Sequence, residues 1–294
     1  MKKNKTMFTF ISIFIAVFAV FIVGLFVDLQ FAEIIYAPRN IFGVIMATIG
    51  ETPAYGGLAF IAGGLFVVAR KLEKKYSIPL ISIAVFSLIA GVFLSMRAIK
   101  SYNALNIEDM WYVSLPIAIL LDGLCAFFGY KLTLKSKDKD ILKTLVCMLV
   151  VIVGSLLVIT LLKKIWGRPR YRFLVENKEY VDLYYRNWWE IHSGVKDLFL
   201  DVDSDCFKSC PSGHTGSAAC ALLLMYLPHF NEKLKGKEWL LLLIGGLWAG
   251  LVGFSRHTMG AHFITDTTFA IMITMVIFTV IHIIFFKIIK AKQE

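Results

Sequence analysis

Apolar runs close to the length that crosses a bilayer recur along the whole chain, separated by short polar connections. The pattern predicts helices over 7–27, 54–69, 79–96, 111–130, 144–162, 212–228, 239–255 and 263–286, of which the second and sixth are the weakest runs. Two connections break the rhythm. In 28–53, Phe31, Ile34, Ile35, Ile41, Phe42, Ile45 and Met46 recur at roughly helical spacing among polar residues, as in a segment that lies in the interface or re-enters the membrane; Glu51 and Pro53 then mark a break. In 163–211 the chain is polar and mixed in charge, with Tyr180, Tyr184, Tyr185, Trp188 and Trp189 close together. That cluster reads as an interfacial aromatic belt, as a cap that meets a ligand, or as both. Trp111, Trp166 and Trp239 fall near expected span ends.

Composition agrees with the pattern. Of 294 residues, 58% are hydrophobic and the mean hydropathy is +0.71, which leaves too little polar surface for a soluble domain of this size. The expected fold is all-α: a polytopic transmembrane helical bundle of about eight spans. The first run follows Lys2, Lys3 and Lys5 but is too long for a secretory h-region and has no small-residue cleavage pattern after it, so it reads as a retained helix.

A net charge of +10 suggests nucleic acid until it is mapped onto the spans. Lys and Arg far outnumber Asp and Glu in the N-terminus, 70–75, 131–143, 232–238 and the C-terminus, whereas the opposite loops hold equal numbers of each. This asymmetry places both termini in the cytoplasm and calls for no nucleic-acid partner; the excess charge faces anionic headgroups. Cys125, Cys147 and Cys220 lie in apolar runs, while Cys206 and Cys210 share an outer loop where oxidation is open to them.

Three segments carry chemistry, and the charge-based orientation puts all three on the non-cytoplasmic side. Lys163 to Tyr171 crowds Lys163, Lys164, Arg168 and Arg170 at a span end. Such residues snorkel at helix ends, but Pro169 between the two arginines imposes an extended kink, and guanidinium forks suit phosphate oxygens. Pro211-Ser212-Gly213-His214 opens a helix whose free amides favour an anion, beside a histidine. Ser255-Arg256, then His262, then Asp266 puts a carboxylate four residues after an imidazole, a pairing that can fix the tautomer and free one ring nitrogen to attack. Cations, helix-start amides, two histidines and a carboxylate on one face suit phosphoryl transfer.

These residues resemble the type 2 phosphatidic acid phosphatase (PAP2) family, the haloperoxidase-like phosphatase superfamily. Its signature reads lysine, six residues, arginine-proline; then PSGH; then serine-arginine, five residues, histidine, three residues, aspartate. The second and third elements are complete at Pro211–His214 and Ser255–Asp266. The first departs: six residues after Lys163 stands Arg170, followed by Tyr171 rather than proline, whereas Arg168-Pro169 has Leu161 at the lysine position. The resemblance implies a six-helix catalytic core within residues 79–294 and an N-terminal two-span extension over 1–78. It implies His262 as a nucleophile forming a phosphohistidine, Asp266 orienting it, and His214 as the acid and base. Lys163, Arg170, Ser212, Gly213 and Arg256 are implied to hold phosphate, with no metal and no cofactor. The expected activity is hydrolysis of a lipid phosphate: undecaprenyl pyrophosphate, phosphatidic acid or phosphatidylglycerol phosphate. A phosphotransferase with the same site, and a non-catalytic transporter or lipid-binding protein, are the alternatives. His192, His229, His257 and His282 belong to no motif and read as structural; Asp122 in the fourth run has no assigned role.

Overall fold

The computed structural model describes residues 2–38, 40–101, 111–176, 178–191 and 194–288. Helices make up the fold, with no strand among the described residues. They are α1 (Lys2–Ile35), α2 (Ile41–Ile49), α3 (Thr52–Ala69), α4 (Lys74–Ser101), α5 (Trp111–Lys135), α6 (Ile141–Trp166), the short α7 (Tyr171–Leu174) and α8 (Lys178–Tyr184), α9 (Gly213–Ala219), α10 (Glu238–Thr258) and α11 (Ile264–Ile283). Among the described residues, seven helical stretches are long and apolar enough to cross a membrane: Lys5–Ile35, Ile41–Ala69, Lys74–Ile99, Trp111–Lys135, Ile141–Leu174, Glu238–Thr258 and Ile264–Phe286.

The expected span over 212–228 is not among these seven stretches. After α9 the chain tightens into a 3-10 helix over Cys220–His229, so neither helical piece is long enough to count as one span. Both lie inside the bundle, with most of their side chains buried.

The 28–53 connection resolves into the end of α1, a turn, and α2, which ends at Gly50 with Glu51 and Pro53 starting α3. Asn40 caps α2 by accepting from the Gly43 amide, and its amide group donates to Thr258 Oγ1 at 3.0 Å. α3 is the most buried helix and carries small residues where α5 crosses it. A Cβ on Gly63 would sit 1.9 Å from the Ala126 carbonyl oxygen, and one on Gly129 would sit 1.9 Å from that of Phe60. The two backbones are therefore in direct contact, the packing that small residues permit between membrane helices. α1 lies against α10 and α11. The 163–211 connection is a folded cap: Phe173, Tyr180, Tyr184, Phe199 and Phe207 pack ring on ring, and Trp188 sits among Phe21, Trp166 and Phe269.

Candidate active site

Backbone hydrogen bonds bring the three segments together. α6 ends at Gly167, whose φ of +65° is the left-handed cap that glycine takes without strain. The extended stretch that follows is pinned to the cap loop by Arg170 N donating to Cys206 O and Ser209 N donating to Arg168 O. Ser212 N donates to Asp266 O, which fastens the start of α9 to the start of α11. Gly260 turns the chain between α10 and α11 at φ +60°, with the Tyr36 ring 2.6 Å from where a Cβ would stand.

In this setting His262 is 1% exposed. Its Nδ1 donates to the Ser209 carbonyl, which fixes the tautomer and leaves the lone pair on Nε2. That Nε2 is buried and has no hydrogen-bond partner. Burial, then the charges of Arg170 and Lys163, hold the imidazole well below its ordinary range. Asp266 does not touch His262 through a hydrogen bond; Ser209 stands between them. The Ser209 hydroxyl donates to Asp266 Oδ2 while its carbonyl takes the His262 proton. The reason is local: α11 begins at Ile264, so His262 lies outside the helix and the four-residue spacing does not place it over Asp266. The carboxylate instead accepts from the Phe263 amide at 2.9 Å, as an acid three residues into a helix does.

His214 opens α9, with its Nε2 3.4 Å from Glu51 Oε2. Its electrostatic neighbours are Arg256, Lys163, Arg170 and Arg172. Lys163 reaches over Gly213, where an added Cβ would meet its Nζ at 3.3 Å. Arg256 is buried, with Nη2 donating to Gly43 O at 3.0 Å. The Ser212 hydroxyl is turned to Thr215, meeting its hydroxyl at 2.9 Å and accepting from its amide at 3.3 Å, so it caps the helix.

The PAP2 superfamily pattern matches residues 144–290, half of the chain. This chain belongs to the PAP2 superfamily. It is also similar to phosphatidylglycerophosphatase B of Bacillus subtilis (strain 168), at 35% identity over 78 residues that cover 24% of this chain and 36% of the other. The chain thus spans about a third of the length of that curated relative. No solved structure matches it.

The departure from the PAP2 superfamily signature around Arg168 has a structural explanation. Every donor group of that guanidinium is engaged: Nε with Arg186 O at 2.8 Å, Nη1 with Thr265 Oγ1 at 2.8 Å and Asp266 Oδ1 at 2.7 Å, and Nη2 with Asp28 Oδ2 at 3.0 Å. Its plane lies 4.2 Å from the centre of the Phe263 ring. Arg168 is thus spent on two buried carboxylates, and Lys163 and Arg170 are the first-segment cations that act on His262. Arg170 is held from behind by Asp205 Oδ1 at 2.9 Å.

Ser209, Asp28 and Glu51 were not singled out as site residues from sequence. Ser209 acts partly through its carbonyl, which carries no sequence signal. Asp28 and Glu51 had one signal, an ionisable side chain in an apolar stretch. Of the histidines outside the motifs, His257 meets Thr267 Oγ1 at 2.8 Å, His229 meets Asp138 Oδ2 at 2.6 Å and His282 meets Tyr226 at 2.7 Å; His192 lies outside the described residues. Asp122 is buried on α5, facing Ser95 of α4. Cys206 and Cys210 are free thiols. Among the described residues no group of three His, Cys, Asp or Glu is placed to hold a metal ion.

Proposed function

We propose that this protein is an integral membrane phosphatase that hydrolyses a lipid phosphate or pyrophosphate, without metal, through a phosphohistidine on His262. The observation that carries the reading is the His262 Nε2: buried, unpartnered, and set among Lys163 and Arg170 with His214 close by. Nε2 attacks phosphorus, the bond to the leaving oxygen breaks, and that oxygen takes a proton from His214. Water then attacks phosphorus, giving its proton to His214, and the P–N bond breaks to restore His262. Lys163, Arg170, Arg256 and the Gly213 amide hold the phosphoryl oxygens, while Ser212 shapes that end of the site by capping α9. Asp266 steadies the nucleophile through Ser209. Residues 79–294 form the catalytic unit, and 1–78 pack against it.

A lipid substrate is supported by a cavity of about 510 Å³ that runs between α3, α5, α6, α10 and the Cys220–His229 helix. Its lining is apolar, including Ile49, Pro53, Leu121, Met148 and Leu227, and Thr52 and Pro53 directly follow Glu51. The name of the Bacillus subtilis relative supports phosphatidylglycerol phosphate as a substrate; undecaprenyl pyrophosphate and phosphatidic acid are the other lipids proposed. The asymmetry of charge between the loops supports cytoplasmic termini and a site on the opposite face.

The test is phosphate release by detergent-solubilised protein from these three lipids and from glucose 6-phosphate, in metal-free buffer with excess chelator. The lipids are expected to be hydrolysed and the sugar phosphate left almost untouched. Loss of activity on chelation overturns the metal-free mechanism, and equal turnover of glucose 6-phosphate overturns the lipid assignment.

The pH dependence carries a second expectation. His262 attacks only when neutral, so phosphoenzyme formation is lost as pH falls through its folded value. Because burial and nearby cations depress that value below 6.5, the acid limb of phosphoenzyme formation should lie below pH 6.5. Rapid-quench trapping across pH 4–8, an interval on the order of two units either side of a free histidine, reads it directly. A limb at or above the ordinary histidine value contradicts the assignment.

A further inference from the structure

His214 has to carry a proton in a crowd of positive charge. Arg256 from α10, Lys163 from α6, and Arg170 and Arg172 at the start of α7 all act against a second positive charge on its ring. The counter-charge comes from a part of the chain outside the matched 144–290 region. Glu51 sits at the break between α2 and α3 and is 7% exposed. Its Oε1 accepts from the Tyr55 hydroxyl at 2.8 Å, and Oε2 lies 3.4 Å from His214 Nε2. The Tyr55 hydroxyl offsets part of the cost of burying the carboxylate, and the remaining oxygen faces the imidazole.

Resting on the phosphatase reading, we propose that Glu51 is a positioning residue for His214. It holds one ring nitrogen on its carboxylate and stabilises the imidazolium, so that the other nitrogen delivers a proton to the departing oxygen. In the first step the electron pair of the breaking P–O bond goes to that oxygen, which leaves as an alcohol with the His214 proton. In the second, water returns a proton to His214 as its oxygen bonds to phosphorus and the P–N pair returns to His262. Glu51 exchanges no proton in either step. The other charged or titratable groups facing the pair are Tyr55 on α3, Arg97 on α4 beyond Tyr55, and His262 at the α10–α11 turn.

The experiment compares Glu51→Gln with the wild type on two esters of unequal leaving group: a lipid phosphate monoester, whose alkoxide must be protonated, and p-nitrophenyl phosphate, whose phenolate leaves without help. Glu51→Gln should lose about 100-fold in kcat/KM on the lipid ester, the usual scale of general acid catalysis, and much less on the aryl ester. The alkaline limb of kcat/KM for the lipid ester should move to lower pH, because the acid form of His214 has lost its counter-charge. Glu51→Asp should recover part of the loss. Alkali-quenched phosphoenzyme from the aryl ester shows that Glu51→Gln is folded. Equal loss on both esters, or an unmoved alkaline limb, overturns the proposal alone. Wild-type protein inactive on both esters, or undiminished activity in His262→Ala, overturns the phosphatase reading and this proposal with it.

Discussion

His262→Ala should reduce phosphate release from any lipid phosphate to background, a loss on the order of 10⁶-fold, the scale seen when a covalent nucleophile is removed. The expectation rests on geometry rather than on motif alone. Nδ1 is committed to the Ser209 carbonyl, so Nε2 holds the only lone pair on that ring, and it is buried with no partner to lose. His214→Ala should behave differently. Its loss falls between about 10² and 10⁴ on a poor leaving group, and it should still form phosphoenzyme from an activated aryl ester, then hydrolyse it slowly. A labelled intermediate that is labile to acid and stable to alkali in His214→Ala, and absent in His262→Ala, supports the assignment. Label retained in His262→Ala would move the nucleophile elsewhere.

Arg168→Ala should damage stability more than phosphate affinity. The substitution strands two buried carboxylates, Asp28 and Asp266, at 5% and 0% exposure. Removing one partner of a buried ion pair costs about 3–5 kcal/mol, because a desolvated charge is left uncompensated. Lysine does not substitute, since it cannot reach two carboxylates, a hydroxyl and a carbonyl from one planar fork. Thermal unfolding in detergent should show a large drop in Tm for Arg168→Ala and for Arg168→Lys, partly recovered when Asp28→Asn is added. Arg170→Ala should show the reverse balance: a small change in Tm and a clear rise in KM. An Arg168→Ala protein with unchanged Tm and weakened substrate binding would make Arg168 the phosphate ligand instead.

The contrast between these two arginines shows where sequence runs out. The spans and the two complete motifs are local patterns, and they were legible because bilayer length and residue spacing act over a few turns of chain. Arg168 and Arg170 are chemically equivalent in the sequence, two positions apart on either side of Pro169. What separates them is Asp28, far away in the chain, which claims one and not the other. The link from Asp266 to His262 was misplaced for a related reason: the helix starts two residues later than their spacing invites, and Ser209 fills the gap. Glu51 was legible only as a break before Pro53, since nothing nearby says which histidine it will meet. The expected run over 212–228 divides into α9 and a 3-10 helix, a break that apolar run length alone does not signal.

The bond from Thr265 to Asp28 joins residues separated by 237 positions. In a chain inserted span by span, α1 enters well before α11. The support under the nucleophile therefore closes only when α11 docks on α1. A chain cut short before α11 lacks Asp266 and leaves Arg168 with half its anions. Catalytic competence then waits on that docking, and a copy halted before it has no assembled centre with which to act on the lipids around it.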